Sequence, residues 1–233
     1  MGSIQEQHTC AGRQAQAMLD AQLDLWHNTF AFIKSMAFKC ALELRIADAI
    51  HNHGGTATLT QIASQAKIHP SKIPCLCRLM RVLTVTGIFS IDKNPTEEGD
   101  RVYGLTPASR LLAGPQNLAP TLKLILHSTF VSPFLGLGTW LEHKLPDVAL
   151  FEMAHGKGVW DVITHDATIS QLFNAAMVAD SRFLMDIAIK ECGYVFQGIS
   201  SLIDVAGGHG AAAQAIAKAF PHIDCSVLDL EHD

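Results

Sequence analysis

An apolar run that closes on an acid and then on glycines constrains this chain more than any other stretch. Leu202, Ile203, Asp204 and Val205 read as a strand, and Ala206, Gly207, Gly208, His209 and Gly210 as a tight turn. Residues 211–220 follow as an alanine-rich helical run, and a second apolar strand over 225–230 carries Asp229, nineteen residues past Gly210. Strand, glycine turn, helix and acid-bearing strand make the opening of a mononucleotide-binding βαβ half. Glycines let the backbone approach a ligand, and the acid on the second strand takes ribose hydroxyls.

Two cofactors compete for such a turn. Gly208, Gly210 and Ala213 satisfy the dinucleotide spacing, whose third position accepts alanine. Asp204, Ala206, Gly208 and Gly210 instead fit the acidic strand end and glycine loop of S-adenosylmethionine enzymes, with alanine at the first glycine. The chemistry separates them. A dinucleotide brings a pyrophosphate to the helix N-terminus, where free N–H groups favour an anion. Adenosylmethionine carries no phosphate, and its ammonium and sulfonium want a carboxylate such as Asp204 nearby. Position favours the second reading, because about 200 residues of mostly helical pattern come first and dinucleotide domains commonly open a chain.

Length and composition set bounds. A chain of 233 residues with 48% hydrophobic content supports one large or two modest domains. A net charge of −5 with 17 basic residues disfavours nucleic acid and anionic membranes as partners. Cys10, Cys40, Cys75, Cys77, Cys192 and Cys225 are scattered behind no secretory segment, as expected of reduced thiols in the cytoplasm. Cys75 and Cys77 lack zinc spacing, and the pair His51 and His53 beside Gly54 reads as a helix end, so no metal is expected. Residues 124–141 carry no formal charge, but Pro133, Gly136 and Gly138 interrupt them. A membrane span needs about 20 continuous apolar residues, so this stretch reads as two buried helical pieces.

Residues 1–14 read as a frayed polar start. Over 15–50, Leu19, Leu23, Trp26, Phe30, Ile33 and Ala37 recur at helical steps, with Gly54 and Gly55 as the stop. The length and aromatic content of that helix suit a partner surface. A compact unit follows: a helix capped by Thr58, a helix over 72–86 capped by Ser71, strands over 88–91 and 101–105 flanking a polar turn at 92–100, and a helix behind Thr106. That is a winged helix-turn-helix in outline. Its would-be recognition helix offers only Lys72, Arg78 and Arg81, too few cations for a groove reader. A packing or dimerisation module is the better reading. Residues 151–161 read as a loop into a helix, and 171–189 as a longer helix bearing Phe173, Met177, Asp180 and Ser181.

Together these segments resemble plant small-molecule O-methyltransferases, the group acting on phenylpropanoids, flavonoids and related phenols, most of all the grass members. The resemblance rests on residues 25–36, on the unit ending in Leu105, Thr106 and Pro107, on 151–156 with Trp160, on 173–177, and on 202–210 with 227–230. It implies a mainly α winged-helix dimerisation domain over 15–115 and a helical substrate-side segment over 116–199. A Rossmann-like cofactor unit, incomplete, follows over 200–233. S-adenosylmethionine is the implied cofactor. Asp204, Ala206, Gly207, Gly208 and Gly210 are its expected contacts; Asp229 would accept both ribose hydroxyls and Leu230 would pack on the adenosine. Ser181 falls on the cofactor side, and Phe173, Met177 and Trp160 shape the phenol pocket. Ala206 stands where the family has glycine, and its methyl would be absorbed only at a negative φ.

The resemblance also places the histidine general base and its orienting acid later than Asp233. The expectation is therefore a C-terminally truncated member with no catalytic residue of its own, no measurable transfer and at best weak cofactor binding. Its partners would be a small phenol and a homodimer, or a heterodimer with a full-length homologue. The alternatives are a non-catalytic dimerisation partner, a ligand-sensing winged-helix regulator, or an incomplete gene model.

Overall fold

The computed structural model describes residues 3–91, 101–142, 144 and 148–230, with side chains from residue 13 onward. It opens with α1 (Ser3–Glu43), so the frayed start expected over 1–14 is corrected to helix from Ser3. Gln5, Glu6, Gln7, Ala11, Arg13 and Gln14 in that stretch are residue types that lose little rotamer freedom in a helix. The single helix expected over 15–50 is also corrected. Arg45 adopts a left-handed φ of 54° and separates α1 from α2 (Ile46–Asn52). The apolar period runs through this break, which hides it in the sequence. The break turns Ile46, Ala49 and Ile50 inward to complete burial.

A small antiparallel sheet and two helices follow: β1 (Thr56–Thr58), α3 (Leu59–Gln65), α4 (Ile73–Val85), β2 (Phe89–Ile91) and β3 (Val102–Leu105). The strand order is β1-β3-β2, with Ala57 opposite Tyr103 and Ser90 opposite Gly104. β1 is only three residues long, too short for alternation to reveal. The expected polar turn at 92–100 lies outside the described residues. Thr58 closes a capping box with Gln61 on α3. Ser71, expected as the next cap, is replaced by His69, whose Nδ1 accepts from the Ser71 amide at 3.3 Å. Pro70 begins a 3-10 turn there, and the cap lies two residues before the expected Ser71. Thr106 caps α5 (Pro107–Arg110) and donates to the Ile88 carbonyl at 2.8 Å, tying that helix to the entry of β2. Ile46, Ile62, Met80, Leu83, Phe89 and Tyr103 form the core of this unit. Each contributes about 1.5–3 kcal/mol by burial.

The middle of the chain is a series of short helices: α6 (Ala119–Ile125), α7 (Ser128–Val131), α8 (Leu137–Leu141), α9 (Leu150–His155) and α10 (Val159–His165). The two buried pieces expected over 124–141 become three helices and a 3-10 turn, with Leu135 89% and Leu141 71% exposed. Pro133 removes a ladder donor in this stretch, and the apolar side chains point to both sides. No single described helix is long and apolar enough to cross a membrane. The loop expected from Phe151 is helical through His155, because Gly156 at φ 69° supplies the left-handed stop. The long α11 (Ala167–Cys192) exceeds the expected 171–189 at both ends. Asp166 caps it, accepting from the amides of Thr168 and Ile169.

The chain closes with β4 (Ser201–Val205), α12 (Ala211–Ala219) and β5 (Asp224–Leu228). β4 and β5 run parallel, with Asp204 opposite Val227. α11 packs against α6, α10 and α12, and so joins the short helices to the glycine corner.

Candidate functional site

The corner begins where Ala206 N–H donates to the Leu228 carbonyl at 2.7 Å, tying the turn to the end of β5. Ala206 takes φ 59°, so the condition for absorbing its methyl fails and the residue is strained. Left-handed backbone costs an L residue other than glycine about 1–2 kcal/mol. Gly208 and Gly210 also have positive φ, at 54° and 70°. A Cβ on Gly207 would stand 2.6 Å from Asp204 Cγ and 2.9 Å from Val227 Cγ1, and one on Gly210 would stand 2.9 Å from Val227 Cγ2. These two glycines make room for Asp204 and Val227. Gly208 is different, because a Cβ there would meet nothing nearer than Asp229 Oδ2 at 4.0 Å. It is the open side of the cradle.

Two carboxylates face this corner. Asp204 is half-buried, and its Oδ2 is buried with no hydrogen-bond partner. An unsatisfied buried acceptor costs about 1–3 kcal/mol, more when charged, which a ligand carrying donors or positive charge would relieve. Asp229 is exposed; its Oδ2 accepts from the Gly208 amide and its Oδ1 from the Leu230 amide at 2.7 Å. The carboxylate expected to accept the ribose hydroxyls thus also holds backbone amides of the turn. This side chain first organises the turn, and an ionised carboxylate with about four acceptor sites can also take hydroxyls. Leu230 is 79% exposed beside it. Acid on both strands suits a cation and opposes a pyrophosphate.

A second feature lies between α6, α7, α9, α10 and α11. A cavity of 510 Å³ is lined by Ile125, Phe130, Phe151, Trp160, Ile163 and Phe173, among other apolar residues. Trp160 and Phe173 meet edge to face, with ring centres 5.7 Å apart at 81°. Met177, expected beside them, does not line this cavity and is 40% exposed. Its four-residue step from Phe173 advances it about 6 Å along α11 and rotates it about 40°. Ser181 sits half-buried one turn further on. Ile125, Phe130 and Ile163 escaped the sequence reading because they come from separate short helices whose packing no local pattern encodes. Phe151 and its motif offered the one available signal.

A polar cleft of 570 Å³ marks the junction with the N-terminal unit, lined by His51, Arg110, Gln116 and Asp186. Gln116 Nε2 donates to Asp186 Oδ2 at 2.9 Å and Lys190 Nζ to the same oxygen at 3.1 Å. The Gln116 hydrogen bond, then Lys190, holds the Asp186 carboxyl below its ordinary value.

These parts define a class: a helical N-terminal module joined to a Rossmann-like α/β corner with acidic groups and an adjoining apolar cavity. Sequence models of an O-methyltransferase dimerisation domain and an O-methyltransferase domain match residues 26–115 and 134–232. The chain belongs to the plant O-methyltransferase family. It is 54% identical to O-methyltransferase ZRP4 of Zea mays, over 93% of this chain and 62% of that protein. It is 49% identical to acetylserotonin O-methyltransferase 2 of Oryza sativa subsp. japonica, over 92% and 60%. The chain thus spans about three fifths of the length of these curated relatives. Its fold is shared with CalO1, a methyltransferase in calicheamicin biosynthesis, at TM-score 0.70 and 19% identity, over 91% of this chain and 59% of that one. Human N-acetylserotonin methyltransferase gives 0.66 at 15% identity, over 91% and 60%.

Proposed function

We propose that the glycine corner binds S-adenosylmethionine and that the neighbouring cavity receives a small phenolic metabolite whose hydroxyl takes the methyl group. The observation that carries this reading is the buried, unpartnered Oδ2 of Asp204 beneath the turn. Family membership and relatives named for methylating acetylserotonin, a pentadecatrienyl resorcinol and resveratrol support it. Adenosylmethionine, when bound, supplies a methyl group made electrophilic by the sulfonium.

The chain's own residues have separable tasks. Asp204 offers its carboxylate to the positive end of the cofactor, and Asp229 accepts ribose hydroxyls while fixing Gly208. Leu230 covers the adenosine, and Ser181 belongs to the same side. Trp160 and Phe173 hold the phenol ring edge to face, with Met177 beyond them toward the reacting end. Among the described residues none that lines the cavity is acidic or basic. A phenol ionises near pH 10, and transfer without a general base is slower by about 10² to 10⁴. These 233 residues are therefore expected to bind better than they turn over. The N-terminal unit is read as a winged helix used for packing, with α1 as the surface for a second copy of the chain. Incubation with methyl-labelled adenosylmethionine and a panel of phenols tests this. Retained label with little or no transfer is expected, and neither retention nor transfer would overturn it.

A further inference from the structure

We infer that the cavity between α6 and α11 selects phenols whose non-reacting part is hydrocarbon and rejects those carrying a carboxylate, an amine or a sugar. The identity of the reacting hydroxyl rests on the methyl-transfer reading; the selectivity rests on the cavity. Of the described side chains lining it, only Trp160 carries a polar atom, its indole N–H. On the neighbouring elements, His127, His155 and Trp140 already have partners. His127 Nδ1 accepts from the Thr129 amide at 3.3 Å, and His155 Nε2 donates to the Thr129 carbonyl at 2.8 Å. The His155 ring packs on Phe151 with centres 4.5 Å apart, and Trp140 Nε1 is spent on the Val148 carbonyl at 2.7 Å.

A polar substituent entering here loses its water and finds no replacement, which weakens binding roughly ten- to a hundredfold. Each added methylene instead tightens binding about fourfold. The volume of 510 Å³ lies within the usual range of small-molecule sites, about 300–1,000 Å³, so a ring with a short alkyl or alkenyl tail fits.

Calorimetric titration of the 233-residue chain with para-alkylphenols from ethyl to pentyl, and with para-hydroxybenzoate, tyramine and a phenolic glucoside, tests this without cofactor. Affinity rising about fourfold per methylene, with the three polar phenols weakest, is expected. Ile125→Asn and Phe134→Asn line the cavity yet are 57% and 67% exposed in the wild type, so the chain should still fold and the rise should flatten. Leu141→Asn, outside the lining, should leave it unchanged. Affinity independent of tail length, para-hydroxybenzoate binding as tightly as butylphenol, or a rise that persists in both cavity variants would overturn the inference. Steep tail dependence with neither retention nor transfer of the methyl label upholds it while counting against the methyl-transfer reading.

Discussion

At the scale of the residue, Ala206 is an alanine in a left-handed position of a glycine turn. A methyl group sits on a backbone with φ 59°, which glycine adopts without strain. Ala206→Gly removes that strain but gives the unfolded chain more freedom, worth about 0.4–1 kcal/mol. A net gain of about 0.5–1 kcal/mol is expected, raising the melting temperature by roughly 1–4 °C for a chain of this size. Thermal unfolding followed by circular dichroism checks it, and a lowered midpoint would mean the turn depends on the methyl for packing. The position was legible in the sequence as an odd alanine in a glycine turn. The sign of φ was not, because both backbone choices fit the same five residues. The role of Gly207 was hidden for a related reason. Nothing local shows that its missing side chain leaves space for Asp204, which reaches back from the end of β4.

Among elements, the link between α11 and the segment before α6 rests on Asp186. Its carboxyl lies below the ordinary value because Gln116 and then Lys190 favour the charged form. A depressed folded value adds stability above the unfolded value, about 3.9, and loses it as pH falls through the folded one. Asp186→Asn should therefore be slightly less stable than wild type at pH 7. The difference should close as pH drops below about 4 and shrink in high salt, since the group is exposed. Chemical denaturation at several pH values measures it; a gap that persists in acid would rule out the charge as its source. Strongly periodic elements such as α4 and α12 and the capped α3 and α5 were readable from apolar spacing and from Thr58 and Thr106. The break at Arg45, the strand β1 and helix α9 were not. Each is short or lies inside a continuing apolar period, so tertiary packing decides it.

On the scale of the whole molecule, every described side chain from Arg13 to Met36 is exposed, including Leu19, Leu23, and the stacked pair Trp26 and Phe30 with centres 5.6 Å apart. An apolar stripe of this length is a binding surface in waiting, and a second copy of α1 is the expected occupant. Trp26→Asp with Phe30→Asp should convert a dimer to a monomer in light scattering while leaving far-ultraviolet circular dichroism intact. A wild-type chain already monomeric at high concentration would defeat that expectation. The sheet at the other end carries a second uncovered face, with Ile203 63%, Val205 70% and Leu228 60% exposed. Parallel strands ordinarily bury both faces, so association through this face is a competing outcome, and a loss of helical signal on concentration would reveal it. The proposed chemistry has the acidic corner hold an adenosylmethionine-type ligand through Asp204. Calorimetric titration with S-adenosylhomocysteine, the unreactive product, measures it directly in wild type and in Asp204→Asn and Asp229→Asn. Saturable one-to-one binding that each substitution weakens about tenfold or more, the size of a lost charged hydrogen bond, is predicted. No binding by the wild type, or equal binding by all three, would contradict the account.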